Sequence, residues 1–103
     1  MGTRENKVEK YLDEQIKSLG GITRKWVSPG HDGVPDRIAI IGAVVFFPEV
    51  KTSDGELSVI QRREHDRLRN HGAMVCIVYG HDGVDKLMKD LLLYNRPMVR
   101  FYG

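Results

Sequence analysis

The spacing of apolar residues near the start of the chain predicts a helix. They recur at intervals of three and four, at Val8, Leu12, Ile16 and Leu19. This is the period of one buried helical stripe. The pair Gly20-Gly21 follows directly and is typical of a helix end. A first helix is therefore predicted over residues 4–19.

Two more helices are predicted in the second half of the chain from their capping residues. Ser58 and Gln61 have the spacing of a capping box, which predicts a helix from there to Asn70. Asp82 is expected to cap a third helix that runs to Tyr94, because Asp is a favoured residue at a helix N-cap.

Short apolar runs between turn residues predict the strands. Outside the middle of the chain they lie at residues 22–27, 73–79 and, as an edge strand, 97–102. The run 36–51 is divided by Gly42-Ala43, and glycine at the first central position favours a type II′ hairpin turn. The order is thus helix, three strands, helix, strand, helix and edge strand. It indicates an α/β fold in which helices flank a mixed sheet, with the strand of Glu49 near the centre.

The hairpin register decides which charged residues meet. With the turn at Gly42-Ala43, Asp36 lies opposite Glu49, and Lys51 follows Glu49 by two positions on the same face. Two opposed carboxylates repel each other unless positive charge lies between them. A divalent cation such as Mg²⁺ fits, because it binds carboxylates, water and phosphate oxygens together. The pattern therefore predicts a divalent-cation site on this face of the sheet.

Pro48 leaves the geometry of this strand open. It has no N–H and would face Arg37 in this register, although proline is expected at edges or bulges. A bulge at Pro48 that re-aims Glu49 is therefore an alternative. Strand alternation is expected to place Val50 and Phe47 on the face opposite Glu49.

Composition limits the class of protein without naming a partner. The 103 residues suit one domain over 1–103, and a net charge of +2 is too small to indicate nucleic acid by itself. The single Cys76 lies in an apolar run, so we expect no internal disulfide and a reducing compartment. The start is polar and no apolar segment approaches about 18 residues. We therefore expect a cytoplasmic protein without membrane partners.

The residues that carry chemistry follow a known pattern. Pro35-Asp36 followed by Glu49-Val50-Lys51 resembles the core of the PD-(D/E)XK nucleases. The fuller pattern resembles the virus-type replication-repair nuclease (VRR-NUC) domain in its stand-alone, phage-like form. Its further segments are Gly-Val-Pro-Asp-Arg at 33–37 and Gly-Glu-Leu-Ser-Val-Ile-Gln at 55–61. The match covers most of the chain, and Pro48 departs from the apolar residue usual at its position.

The resemblance implies a Mg²⁺- or Mn²⁺-dependent DNA endonuclease. Asp36, Glu49 and the backbone carbonyl of Val50 would be metal ligands. Lys51 would orient the attacking water or stabilise developing negative charge as a point cation.

Two further acids and one amide are candidates for the same site. The family pattern includes a glutamate on the first helix, which we take to be Glu9, reaching a metal ion through water. Glu5, one turn earlier, is the rival, and a solvated helix face is the alternative for both. The resemblance places Gln61 at the site, in contact with Lys51 or DNA, in addition to its predicted capping role.

A set of cationic side chains is expected to bind DNA beside the site. Its members are Arg24, Lys25, Arg37, Arg62 and Arg63. Contacts from such residues to phosphates would position the duplex. The alternative is an ordinary solvated surface, because Glu64 and Asp66 are interleaved with the arginines of the second helix.

Stand-alone domains of this family resemble Holliday-junction resolvases, so we expect a homodimer that cuts branched DNA such as a four-way junction. The runs 91–94 or 98–102 could form its interface, and a core role is the alternative. A flap or other repair nuclease is an alternative activity. A non-catalytic DNA-binding module with the same fold is the alternative from another class. If the gene belongs to a phage, the expected location is the cytoplasm of its bacterial host.

Overall fold

A computed structural model describes residues 3–94 and 101–102. The elements follow the predicted α/β order. In chain order they are α1 (Arg4–Ser18), β1 (Ile22–Lys25), β2 (Arg37–Ile41), β3 (Val44–Lys51), α2 (Val59–Asn70), β4 (Val75–Tyr79), α3 (Gly80–Tyr94) and β5 (Phe101–Tyr102).

One mixed sheet organises the fold, with strands in the order β1-β2-β3-β4-β5. The first three strands are antiparallel neighbours, whereas β3, β4 and β5 are parallel. The strand that carries Glu49 is therefore central, as predicted. The C-terminal edge strand is confirmed at Phe101–Tyr102, and residues 97–100 of its predicted range lie outside the described residues.

The register of the central hairpin is the predicted one. Gly42 has a φ of +58° in the two-residue turn, where glycine is the residue with least strain. The paired residues are Ala39 with Phe46, Ile40 with Val45 and Ile41 with Val44. The β2–β3 ladder ends at the first of these pairs, so Asp36 and Glu49 approach each other beyond the paired part of the hairpin.

Pro48 fits without a bulge. The ladder from β3 to β4 runs one to one from Phe47 to Lys51, and the Phe47 N–H donates to the carbonyl of Met74 at 2.8 Å. Successive N–H groups of a strand alternate in direction, so the nitrogen of Pro48 faces β2. The β2 ladder has already ended there, and the missing N–H therefore costs no sheet hydrogen bond.

The two faces of the sheet have different roles. One face packs against α1 and α3 in a core to which β3 contributes Phe46 and Val50. Phe47 lies on the other face with Glu49, because the strand alternates without a bulge, and its ring centre is 5.3 Å from that of Trp26. The prediction that grouped Phe47 with Val50 was therefore wrong.

Three predicted element boundaries need correction. β1 ends at Lys25 and not at residue 27, because its ladder partner β2 begins at Arg37, which pairs with Lys25. α3 begins at Gly80, immediately after β4, so Asp82 lies in its first turn and is not the N-cap. β4 begins at Val75 and not at residue 73, because the preceding residues complete the turn that follows α2. Among the described residues, no helix is long and apolar enough to cross a membrane.

The apolar run at the end of α3 is divided between core and surface. Leu91 is buried, whereas Leu92 and Leu93 are 70% and 68% exposed. Tyr102 of β5 is also buried. Leu91 and Tyr102 therefore have core roles, and Leu92 with Leu93 forms an open apolar patch on the part of α3 that the structure describes.

Candidate active site

Asp36 lies at the point where β2 and β3 diverge. Its own carbonyl accepts a hydrogen bond from Trp26 N–H at 3.0 Å, which continues the β1–β2 pairing. Its side-chain Oδ2 accepts one from Val50 N–H at 2.7 Å. The side chain of Asp36 thus accepts the hydrogen bond that a backbone carbonyl of β2 would accept from β3 if the ladder continued. Because the N–H and C=O of one strand residue face the same neighbour, the Val50 carbonyl also points to the Asp36 side.

Glu49 is completely buried, two residues before the end of β3. The Gln61 Nε2 donates to its Oε2 at 3.3 Å, and the Nε2 of His65 lies 3.3 Å from its Oε1. Although this second distance is short, no hydrogen bond is aligned at Oε1. A buried carboxylate oxygen without a partner is costly, so this atom is available to a ligand.

Three carboxylates converge here, one from α1, one from the residue directly before β2 and one from β3. Glu5, Asp36 and Glu49 each offer an oxygen, and these oxygens lie within 4.8 Å of one another. We call these residues the acidic cluster. Its helix-borne member is Glu5, the rival in the sequence-based prediction.

Glu9 is engaged with cations instead. Its Oε2 is 2.8 Å from Arg37 Nη1 and 2.9 Å from Lys25 Nζ. The charge of Glu9 still reaches the cluster, because it contributes to raising the pKa of both Asp36 and Glu49. Glu9 therefore borders the acidic cluster, and Glu5 lies within it.

The pKa values of both central acids are strongly raised. Burial, followed by repulsion from Glu49, raises the pKa of Asp36 to about 7 against the opposing hydrogen bond from Val50. Burial likewise raises the pKa of Glu49 to about 7, although its hydrogen bond with Asp36 and the charge of Lys51 act in the other direction. Such shifts are typical of carboxylates gathered for metal binding or catalysis.

Lys51 brings a positive charge to the same buried face. It follows Glu49 by two positions in β3, is 9% exposed, and pairs in the ladder with Tyr79 of β4. A lysine is rarely this buried without a partner charge, and Glu49 is the acid whose pKa it lowers. The predicted grouping of Asp36, Glu49 and Lys51 is thus present in the structure.

Gln61 makes the predicted capping contact and lies at the site, where its amide contacts Glu49 rather than the expected Lys51 or DNA. Its Oε1 accepts from Ser58 N–H at 2.9 Å, while Ser58 Oγ accepts from Gln61 N–H at 3.1 Å. This is the predicted capping box. The Nε2 of the same amide faces Glu49, so one side chain both begins α2 and contacts the acidic cluster.

His65 was missed by sequence reasoning. It is completely buried, and desolvation lowers the pKa of its imidazole to about 4, so the ring is neutral at physiological pH. The available signal was its position four residues after Gln61, which places both side chains on one face of α2.

The predicted DNA-binding residues divide into two groups. Arg37 is turned inward, where its guanidinium contacts Glu9, Asp13 and Thr23. The other four are exposed on β1 and α2, namely Arg24, Lys25, Arg62 and Arg63. Lys25 is paired with Glu9, so the pair links β1 to α1.

The side chains of the acidic cluster suit a hard divalent cation. Mg²⁺ and Mn²⁺ favour carboxylate oxygens, and the acidic cluster supplies three within a small volume. The unpartnered Oε1 of Glu49 and the mutual repulsion of the acids both favour a cation. Cys76, by contrast, is a core residue, and burial raises the pKa of its thiol to about 12.

Comparison with known proteins supports a nuclease. No family model matches the chain. The phage protein "Putative nuclease p44", from Acyrthosiphon pisum secondary endosymbiont phage 1, is 39% identical over 80 residues, which cover 77% of this chain and 86% of p44. A solved "VRR_NUC domain" is 36% identical with a TM-score of 0.79, over 85% of this chain and 97% of that one. This chain therefore belongs to the VRR-NUC family of nucleases.

Proposed function

We propose that this protein is a metal-dependent DNA endonuclease that hydrolyses phosphodiester bonds at the acidic cluster. The observation that carries the proposal is the convergence of three carboxylates within 4.8 Å. The buried ammonium of Lys51 beside Glu49 adds a second positive charge, besides the metal ion, for phosphodiester hydrolysis. Family membership supports the nuclease assignment.

Each residue of the site has a proposed role. Asp36, Glu49 and Glu5 hold Mg²⁺ or Mn²⁺ with the carbonyl of Val50. When bound, the cation supplies positive charge at the scissile phosphate and lowers the pKa of a coordinated water. Glu9 is not needed as a direct ligand, because it holds Lys25 and Arg37 in place at the rim.

Lys51 interacts with the phosphate and the attacking water and is not a metal ligand. Its ammonium is a compact charge with three donors, fixed on a central strand. In that position it stabilises negative charge that develops on the phosphate and orients the attacking water by hydrogen bonding. A fixed charge in a buried site is more effective than one in water, because it needs no reorganisation.

We also propose that the enzyme is a homodimer that prefers four-way junctions. Leu92 and Leu93 support this proposal, because two adjacent leucines of α3 are open to solvent and suit an apolar contact between copies. A two-fold dimer would present two sites to one branched substrate. The exposed Arg24, Arg62 and Arg63 are then proposed to contact phosphates beside each site.

The test uses labelled four-way junction, flap and linear duplex, each with Mg²⁺, Mn²⁺ or a chelator. We expect metal-dependent cleavage that is strongest on the junction and that is lost in Asp36→Asn and Glu49→Gln. Cleavage that survives either substitution contradicts the site assignment. Equal cleavage of linear duplex contradicts the junction preference, and metal-dependent binding without cleavage supports a non-catalytic module.

A further inference from the structure

α2 presents two nitrogen-bearing side chains to a single carboxylate. Gln61 and His65 are four residues apart, one turn of the helix, and both reach Glu49. Gln61 Nε2 lies 3.3 Å from Oε2, and His65 Nε2 lies 3.3 Å from Oε1. Each oxygen of Glu49 therefore has its own neighbour on α2.

The contact between His65 and Glu49 is close but incompletely satisfied. Neither ring nitrogen of His65 has an aligned hydrogen bond among the described residues, and Glu49 Oε1 has none either. All three atoms are buried, where an unmade hydrogen bond is costly. A small rotation at 3.3 Å would satisfy two of them at once.

We propose that His65 is a positioning residue whose Nε2–H donates to Glu49 Oε1, so that His65 and Gln61 together fix the carboxylate as a metal ligand. This inference rests on the proposed metal-dependent function. Side chains that hold a ligating carboxylate typically change metal affinity by about ten- to a hundredfold when they are removed.

The chemistry of the imidazole ring suits this role. A neutral imidazole has one N–H donor and one acceptor, and the completely buried His65 ring places its Nε2 3.3 Å from Glu49 Oε1. A neutral donor orients Glu49 without cancelling its negative charge, whereas a cation in the same place would compete with the metal ion. Lys51 provides the positive charge from β3 instead.

A purely structural histidine would behave differently. If His65 only fills space beneath α2, an apolar side chain of similar volume would serve as well. If it donates to Glu49, glutamine is the better replacement, because its Nε2 can occupy the place of the imidazole Nε2 while leucine has no donor. The variants His65→Gln and His65→Leu therefore separate the two roles.

The closing experiment measures Mn²⁺ affinity by calorimetry on the DNA-free protein. We expect His65→Leu to lose about ten- to a hundredfold and His65→Gln to keep most of the affinity. The matched control is His71→Leu, because His71 is exposed on the same part of the chain and its ring Nδ1 lies 2.8 Å from the carbonyl of Arg67; this variant should bind Mn²⁺ as the wild type does. Equal affinity of wild type and His65→Leu, or equal loss in both His65 variants, overturns the inference.

A second measurement decides the matter if His65→Leu does not fold. Nitrogen-15 spectra of the Mg²⁺-saturated wild type should show a proton on Nε2 of His65, whereas a proton on Nδ1 alone overturns the inference. Failure of the proposed function looks different, because the wild-type protein itself would then bind no Mn²⁺.

Discussion

At the residue scale, the site concentrates negative charge where the sheet offers little water. Asp36 and Glu49 are held together by the end of the β2–β3 ladder and by the hydrogen bond from Val50 N–H. Burial is the main reason that the pKa values of both acids are raised to about 7, so the metal-free protein holds two carboxylates here whose charged forms are disfavoured. Function is therefore expected to cost stability.

The first prediction concerns pH. Folded Asp36 and Glu49 retain protons that the unfolded chain releases between about pH 4 and 7, so their contribution to stability falls as pH rises through this window. The lowered pKa of His65 acts in the opposite direction, because the unfolded chain binds the extra proton. The pH dependence that is due to the two acids is obtained by comparing the stability of the wild type with that of the double variant Asp36→Asn/Glu49→Gln, because His65 is present in both proteins.

Without metal ions, we expect this double variant to be more stable than the wild type by about 2–4 kcal/mol at pH 8. The difference should shrink toward pH 4, as measured by urea unfolding. Added Mn²⁺ should stabilise the wild type but not the variant. A difference that does not change between pH 4 and 8 would show that the acids are not mutually strained.

The second prediction separates Glu5 from Glu9. Glu5→Gln should weaken Mn²⁺ binding by about tenfold, because it removes a member of the acidic cluster. Glu9→Gln should leave Mn²⁺ affinity nearly unchanged and lower the free energy of unfolding by about 1 kcal/mol, since Glu9 pairs with Arg37 and Lys25. Calorimetry and urea unfolding of both variants measure the two effects. The reverse order of Mn²⁺ affinities would restore Glu9 as the ligand.

At the element scale, one side chain of α2 both caps the helix and contacts the acidic cluster. The Gln61 amide caps the helix through its oxygen and contacts Glu49 through its nitrogen. The start of α2 is thus tied to the centre of the sheet. Loss of the Gln61 side chain is therefore expected to loosen Glu49 within the acidic cluster.

The third prediction separates these two jobs. Ser58→Ala and Gln61→Ala should both lower the free energy of unfolding by about 1 kcal/mol, because each removes part of the capping box. Only Gln61→Ala should also weaken Mn²⁺ binding in calorimetry, by several-fold. Equal Mn²⁺ affinity in the two variants would mean that the contact between Gln61 and Glu49 has no role in the site.

Local patterns explain why much of the fold could be predicted. The apolar period, the capping box and the two-residue turn each act over a few residues, so they determine α1, α2 and the hairpin register directly. Phe47 was assigned to the wrong face, although strict alternation from Glu49 gives the observed one. Asp82 is predicted as the N-cap of α3 because Asp is a favoured capping residue. The helix instead starts directly after β4, at Gly80, where the sequence has no separate capping signal.

The remaining site residues could not be predicted because they depend on how the helices pack on the sheet. Glu5 and Glu9 are one turn apart on α1, and this spacing does not show which of them lies near the point where β2 and β3 diverge. His65 follows Gln61 by one helical turn, which places both side chains on one face of α2. That spacing does not show that the ring lies beside Glu49, which is visible only when α2 is placed over the Glu49 face of the sheet.

At the scale of the whole molecule, the site and the proposed dimer contact use different elements. The acidic cluster is held by α1, β2 and β3, whereas Leu92 and Leu93 lie near the end of α3. Substitution of these leucines should therefore leave the chemistry of a single site intact.

The fourth prediction follows from this separation. Leu92→Asp/Leu93→Asp should convert a dimer to a monomer in sedimentation at micromolar concentration, because charges would replace an apolar contact. The variant should still nick DNA but should lose paired cuts at four-way junctions. A wild-type protein that sediments as a monomer would contradict the proposed dimer, and a variant that stays dimeric would contradict this interface.

The central claim is that the acidic cluster binds the catalytic cation. It is tested most directly by the anomalous scattering of crystals grown with Mn²⁺. We predict a peak bounded by the carboxylates of Glu5, Asp36 and Glu49, which disappears in Glu49→Gln. Full Mn²⁺-dependent cleavage together with no peak at the acidic cluster, or with a peak elsewhere, would contradict the account.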